Sequence, residues 1–178
     1  MLYLQSTGVR LMAATSPRVG ISTVKDINNI PKFMAAVPEI LGDIAEEVGQ
    51  YLENKLVDKI TKQDPSWVSL SPVTIRRKKS SKAWIDTGEL IGLITHTIEG
   101  SIPVSIQVGI FDHEKAFIAY CLEFGTNGGS IVAGGMIHTW NHIPERPLFR
   151  LVFDEEKEAI TAIIRNRWNT AIDKFFVQ

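Results

Sequence analysis

Two histidines, His138 and His142, have the spacing that most resembles part of a metal site, with three residues between them. Other residue types that zinc accepts lie upstream: His113, Cys121 and Glu123. Pro144 follows closely, so we do not expect a regular helix that places both histidines on one face. No second spaced pair accompanies them. A metal-dependent enzyme stays an open alternative, and the sequence favours exposed or hydrogen-bonded histidines.

Cys121 is the single cysteine of the chain, and with a histidine it would form the nucleophile and base of a thiol enzyme. It lies within the apolar run FIAYCLEF, where a lone cysteine is typical of a small buried hydrophobic residue. A single cysteine excludes an internal disulfide and a multi-cysteine zinc site. The glycine-rich segment TNGGSIVAGG lacks the lysine of a P-loop. We therefore expect no enzyme and no cofactor.

The segment RRKKSSK, residues 76–82, is the strongest electrostatic feature, with five positive charges in seven residues. Such a cluster suits DNA phosphates or an acidic protein partner. A solvated loop that balances the acidic helix predicted at 38–62 is the simpler interpretation. The cluster consists of Arg76, Arg77, Lys78, Lys79 and Lys82. Four tryptophans are present, and we expect core or interface packing rather than stacking on bases: Trp67, Trp84, Trp140 and Trp168.

The chain has 178 residues, of which 44% are apolar and 22% charged, and its net charge is −1. These values are ordinary for one globular domain and give no support to a generally basic nucleic-acid binder. No apolar run approaches the roughly 18 residues of a membrane span, and the N-terminus makes a poor signal peptide. We expect a soluble, intracellular protein with an N-terminal arm at 1–30 and a single domain at 31–178.

Hydrophobic periodicity predicts an α+β fold, a small antiparallel sheet with two long helices packed on one face. Pro38 is placed in the first turn of the first helix, and Asp154 is the expected N-cap of the last. The predicted elements are a helix at 38–62, a short helix that starts at Pro72 within the loop-like region 63–90, a hairpin at 93–99 and 104–110, a short helix at 113–124, a glycine-rich loop at 127–140 and a helix at 154–176. One strand is expected in the arm, in VGISTV at 19–24.

A series of short motifs runs in order through about residues 65–150. It begins with Pro65-Ser66-Trp67, Leu70-Ser71-Pro72, Thr74 and Lys78, followed by Asp86-Thr87-Gly88-Glu89-Leu90. After the hairpin come Ala119-Tyr120, Glu123-Phe124-Gly125-Thr126 and Ile143-Pro144-Glu145-Arg146-Pro147-Leu148-Phe149. Each motif alone is short, but the collinear set resembles the tail-completion or virion-morphogenesis proteins of tailed bacteriophages.

The resemblance implies a structural protein of the virion, a small α+β subunit at the head–tail junction. Such a subunit assembles into a ring, with six copies implied, that completes the tail and joins it to the head. Its implied partners are other neck or connector proteins, tail tube proteins and the viral DNA that passes through the channel. Its implied location is the virion neck or tail, and the host cytoplasm during assembly; no membrane is involved. The motif residues are implied to be structural, not catalytic.

The motif chemistry fits a scaffold. Asp86 and Thr87 are suited to capping a turn, and Gly88 permits the backbone geometry of that turn. Pro144 and Pro147 are expected to hold an extended segment around Arg146, with Arg146 paired to a carboxylate such as Glu123. The alternative function, from a different class, is a monomeric nucleic-acid-binding module that uses the basic segment 76–82.

Overall fold

The computed structural model describes residues 28–100, 102–133, 136–140 and 142–176. Most of the predicted arm, including its expected strand at 19–24, lies outside these residues. The described elements, in chain order, are α1 (Ile30–Lys62), α2 (Pro72–Lys78), α3 (Glu89–Gly92), β1 (Ile94–Glu99), β2 (Ser105–Ile110), α4 (His113–Phe124), β3 (Gly129–Ala133), β4 (Met136–Trp140), α5 (Phe149–Glu155) and α6 (Lys157–Phe176). The α+β class is confirmed.

Helix α1 is the central element of the fold. One stripe of its side chains is buried: Ile44, Val48, Leu52, Leu56 and Ile60. These residues recur at three- and four-residue steps, so the helix turns one continuous apolar face to the rest of the chain. Helix α1 packs against β1 and β2 and also against α5 and α6. The apolar periodicity therefore identified the element on which the core is built.

The start of α1 differs from the prediction, because the helix begins at Ile30 and Pro38 lies inside it. Phe33 explains the longer helix. Its ring makes edge-on contacts with aromatic side chains of α6, and the ring centroids lie 5.8, 5.5 and 5.4 Å from those of Trp168, Phe175 and Phe176. These long-range contacts stabilise the first turns of α1. They could not be predicted from the local sequence around Phe33.

The first hairpin, β1 with β2, is confirmed at almost the predicted bounds, and its register pairs Ile94 with Ile110. Every second residue of β1 is the more buried one, so one face of the hairpin packs on the core and the other faces outward. His96, on the buried face, lies over α1 at Gly49, where a Cβ atom would come within 2.5 Å of the ring carbon Cγ. Glycine at this position therefore lets the helix and the strand approach closely.

His96 is also the polar link between the sheet and α1. Its Nδ1 lies 2.8 Å from a carboxylate oxygen of Glu53, and its Nε2 lies 3.3 Å from one of Glu46. Burial on its own lowers the pKa of His96, but the hydrogen bonds and charges of the two carboxylates outweigh burial and raise it. The protonated ring is thus the form that the fold favours.

The predicted C-terminal helix is two helices, α5 and α6, which meet at Glu156. Asp154 is not an N-cap, because it lies exposed within α5. Helix α6 packs along α1 through Ile160, Ile163 and Trp168, whereas Ile164 is 43% exposed and does not belong to the buried stripe. Helix α5 starts at Phe149, earlier than the predicted residue 154, because the carboxylate of Glu123 caps it.

The segment predicted as a glycine-rich loop at 127–140 instead forms a second hairpin, in which β3 pairs antiparallel with β4. An isolated bridge between Thr126 and Ile143 continues the pairing at its base. The glycine content favoured a loop, but β-branched residues on both strands favour extended pairing. The strands pack chiefly against each other. Among the described residues, no helix has the length and apolar character that a membrane crossing requires.

Candidate functional site

Three side chains bind the segment 143–149, and a fourth, Arg146, belongs to that segment and binds back to the chain. Together we call them the motif framework: Trp67, Trp84, Glu123 and Arg146. The indole of Trp67 donates to the carbonyl of Pro147 at 2.8 Å, and that of Trp84 donates to the carbonyl of Arg146 at 3.0 Å. Both tryptophans are buried, with ring centroids 6.5 Å apart. They join the core to the backbone of this segment, which confirms that they pack in the core.

Arg146 is buried, with 3% of its surface exposed, and its guanidinium binds only backbone carbonyls among the described residues. It donates to Val68 at 2.7 Å and to Ser69 and Pro144 at 3.3 Å each. Burial lowers the pKa of Arg146. The predicted pairing of Arg146 with Glu123 is wrong. The arginine instead fastens the loop after Trp67 to the segment 143–149.

Glu123 has another task, although it too is buried. One carboxylate oxygen accepts from the backbone amides of Leu148 at 2.6 Å and Phe149 at 3.1 Å, and the other accepts from the amide of Arg150 at 3.0 Å. These amides are the unpaired donors at the start of α5. A negative charge there also complements the helix dipole. The Glu123 carboxylate therefore links α4 to α5. The sequence predicted no helix that starts at Phe149, so it gave no reason to look for a cap there.

Three residues of the turn motifs, Ser71, Gly88 and Gly125, have the local roles that their residue types indicate. The Ser71 hydroxyl accepts from the amide of Thr74 at 3.2 Å and caps α2. Gly88 has a φ of 90°, which permits the turn before α3. Gly125 has a φ of 71°, and a Cβ atom there would lie 2.8 Å from the carbonyl oxygen of Ile143. Leu70 and Leu90 are half-buried against the core.

Two other motif residues, Tyr120 and Phe124, lie outside the framework, with 59% and 50% of their surfaces exposed. They line a groove of about 380 Å³ between α4, β2 and α5, here called the aromatic groove. Its principal lining residues are Val108, Ala116, Tyr120, Phe124, Phe149 and Phe153. The Arg150 guanidinium lies 4.9 Å from the centre of the Phe124 ring. The motif thus supplies both a buried framework and an exposed apolar surface.

The basic segment is not a loop throughout, because Arg76, Arg77 and Lys78 form the last turn of α2. Lys78 is half-buried, and its ammonium donates to the carbonyl of Lys82 at 3.0 Å. Burial is the main reason that the pKa of Lys78 is lowered. The other four cations are exposed and make no ion pair within the described residues. We call them the basic cluster: Arg76, Arg77, Lys79 and Lys82.

The residues considered for metal binding are not brought together where their side chains are described. His113 and His142 are exposed, Cys121 is half-buried on α4, and Glu123 is bound to the amides of α5. His138 lies on β4, and its side chain is outside the described part. Over the described residues, no group of three or more histidine, cysteine, aspartate or glutamate side chains has the geometry of a metal site.

Comparison of the chain with protein-family models, with curated proteins and with solved structures yields no match.

Three features of the structure were not predicted from the sequence: the hydrogen bond from Trp84 to the backbone of Arg146, the cap of α5 by Glu123 and the exposure of the second hairpin. The arrangement as a whole is suited to holding a fixed shape and presenting surfaces.

Proposed function

We propose that the protein is a structural subunit of a tailed-bacteriophage virion. Six copies form a ring at the neck or at the top of the tail, where the ring completes the tail and joins it to the head. The neighbouring rings of the neck, the connector and the tail tube are its protein partners. The viral DNA passes through the central channel. The protein acts by shape and contact, without catalysis.

One observation supports this proposal above the others: the buried motif side chains hold the backbone in place. Trp67, Glu123 and Arg146 all bond to main-chain groups from distant parts of the sequence. Buried polar groups that are fully paired in this way specify a single arrangement of the chain. A repeating subunit needs that property, because every copy in a ring must present the same surfaces to its neighbours.

The exposed surfaces supply the second support. The aromatic groove and the second hairpin are exposed apolar features, and the basic cluster is an exposed cationic one. Exposed aromatic side chains are enriched at protein interfaces. The basic cluster is suited to an acidic surface on an adjacent subunit or ring. A cluster that faced the channel would hold DNA through a strongly salt-dependent interaction and would impede its passage.

The proposal is tested by the mass and shape of the purified full-length protein. Native mass spectrometry should give six times the 19.9 kDa chain mass, and negative-stain images should show rings with a central hole. The images are needed because mass alone does not separate a ring from a compact hexamer. A particle that stays at the mass of one chain at every concentration, and that is absent from purified virions, would contradict the proposal.

A second candidate function is a monomeric nucleic-acid-binding module, and one observation favours it: the four exposed cations of the basic cluster have no ion pair within the described residues. A monomer that binds duplex DNA, with an affinity that falls by roughly 10-fold or more between 50 and 200 mM salt, would support this function. Replacing the four cations with serine should then abolish the binding. A ring that binds DNA no better than this serine variant would exclude the module.

A further inference from the structure

The second hairpin, β3 with β4, leaves apolar side chains exposed on both of its faces. Met136 and Ile137 are 66% and 71% exposed. Since neighbouring residues in a strand point to opposite faces, neither face is covered at this end of the hairpin. A two-stranded hairpin without a covering surface is marginally stable in water. The hairpin therefore needs an apolar surface to pack against.

The aromatic groove is a surface of that kind. Its base includes the buried residues Ile110 and Ala119, and its walls carry the exposed rings of Tyr120 and Phe124. The carboxylate of Glu123 holds the two helices that form the groove, because it projects from α4 and binds the first amides of α5. The groove is thus formed in advance, which lowers the cost of filling it.

Neither the second hairpin nor the described lining of the aromatic groove carries an unpaired charge. Residues 127–142 contain no Asp, Glu, Lys or Arg, in a chain of which 22% is charged. The charged residues that line the groove, Glu123 and Arg150, are 3.3 Å apart and already paired. Packing one surface on the other would therefore bury no unpaired charge, which is the main penalty in apolar association. The basic cluster does not meet this condition, because its four cations make no ion pair within the described residues.

The hairpin does not fill the groove of its own chain. It leaves α4 immediately after Phe124, and Gly125 and the bridge between Thr126 and Ile143 fix its base. In that position Met136 and Ile137 stay exposed and the groove stays open. An apolar projection and an apolar groove on different surfaces of one molecule give a head-to-tail contact between copies, and such a contact builds a ring when the rotation between copies closes.

We propose that the second hairpin of one copy docks in the aromatic groove of the next copy. This inference rests on the proposed function, because it names the contact that builds the ring. Ile137 and Tyr120 are the residues expected to contribute most to the hairpin side and the groove side. Each substitution tested below leaves the buried framework intact, since both side chains are largely exposed in the single chain.

Native mass spectrometry and sedimentation of four variants test the contact. Ile137→Asp should block the hairpin and Tyr120→Asp the groove, and each should weaken assembly by about 100-fold, as expected for a central interface residue. Two matched controls should assemble like wild type. Phe117→Asp changes an exposed aromatic residue of α4 outside the groove, and Thr97→Asp changes an exposed position of β1. Circular dichroism confirms that every variant is folded.

Mixing the two blocked variants gives the decisive result. The intact hairpin of Tyr120→Asp should dock in the intact groove of Ile137→Asp, so the mixture should form two-chain complexes and no rings. A mixture that stays monomeric would overturn the hairpin–groove pairing. If Ile137→Asp alone and Tyr120→Asp alone each still form rings, the hairpin–groove pairing is also overturned, while the proposed function stays in place. A wild-type protein that forms no ring in solution or in virions would overturn both.

Discussion

Replacing Glu123 with glutamine removes one negative charge from the start of α5 and leaves the size of the side chain almost unchanged. The carboxylate now accepts from the amides of Leu148, Phe149 and Arg150 at 2.6–3.1 Å. Glutamine has one oxygen in place of two, and its NH₂ group is a donor. In either orientation of the amide, at least one of the three backbone donors faces another donor.

The cost follows from these contacts. A buried amide that loses its acceptor costs roughly 1–3 kcal/mol, and bonds to a charged acceptor lie at the upper end of the net range. One or two such losses predict that the free energy of unfolding falls by about 2–4 kcal/mol. For a chain of this length, that corresponds to a decrease in Tm of about 5–15 °C.

Thermal unfolding followed by circular dichroism measures the decrease, and amide hydrogen exchange shows where it arises. Exchange should accelerate at Leu148–Arg150 more than in α1. Glu145→Gln is the matched control, because Glu145 is an exposed carboxylate whose one partner among the described residues is the Arg150 side chain, at 3.1 Å. This control should unfold near the wild-type temperature. If Glu123→Gln unfolds with the control and keeps its amide protection, the proposed linkage of α4 to α5 by Glu123 is refuted.

Three further predictions concern the core, the pH dependence and assembly. Leu56→Asp should lower the free energy of unfolding by about 3–5 kcal/mol, since Leu56 is fully buried, whereas Ile164→Asp should unfold near wild type in the same melts. The raised pKa of His96 implies a contribution to stability that is complete below about pH 6.5 and is lost as the pH rises through the native pKa. Urea unfolding should therefore show wild type losing stability relative to His96→Gln over that rise, and parallel pH profiles would contradict it. Replacing the four cations of the basic cluster with serine should leave thermal unfolding near wild type. It should also cause filled heads and unattached tails to accumulate in an assembly assay. Normal joining of heads to tails with altered DNA retention would instead place the cluster in the channel.

Elements defined by local signals were predictable from the sequence. The short helix at 113–124 has the predicted bounds, since Asp112 caps its start and Gly125 follows its end with a positive φ. The first hairpin followed from alternation on both sides of Gly100. In these cases the residues that decide the structure lie within or beside the element itself.

Elements defined by distant contacts were not predictable. The extra turns at the start of α1 are held by Phe33 against residues more than 130 positions later in the chain. The start of α5 is capped by Glu123, which lies on another helix. Because neither contact leaves a local pattern, the sequence led to a shorter first helix and to the incorrect pairing of Glu123 with Arg146.

The candidate surfaces were only partly predictable. The motif placed Trp67 and Arg146 together with Tyr120 and Phe124, but a motif does not report which side chains turn inward. The second hairpin was interpreted as a loop because glycines outweighed its β-branched residues. Its exposed apolar faces, on which the proposed contact between copies depends, appear only once the strands are paired.

If a phage encodes this chain, as proposed, a cryo-electron microscopy map of the head–tail junction of its virions tests the central claim most directly. We predict a ring of six copies of the described fold around the DNA channel, with each second hairpin against the aromatic groove of the next copy. A junction whose density is fully accounted for by other proteins, with no place for this fold, would contradict the proposed function.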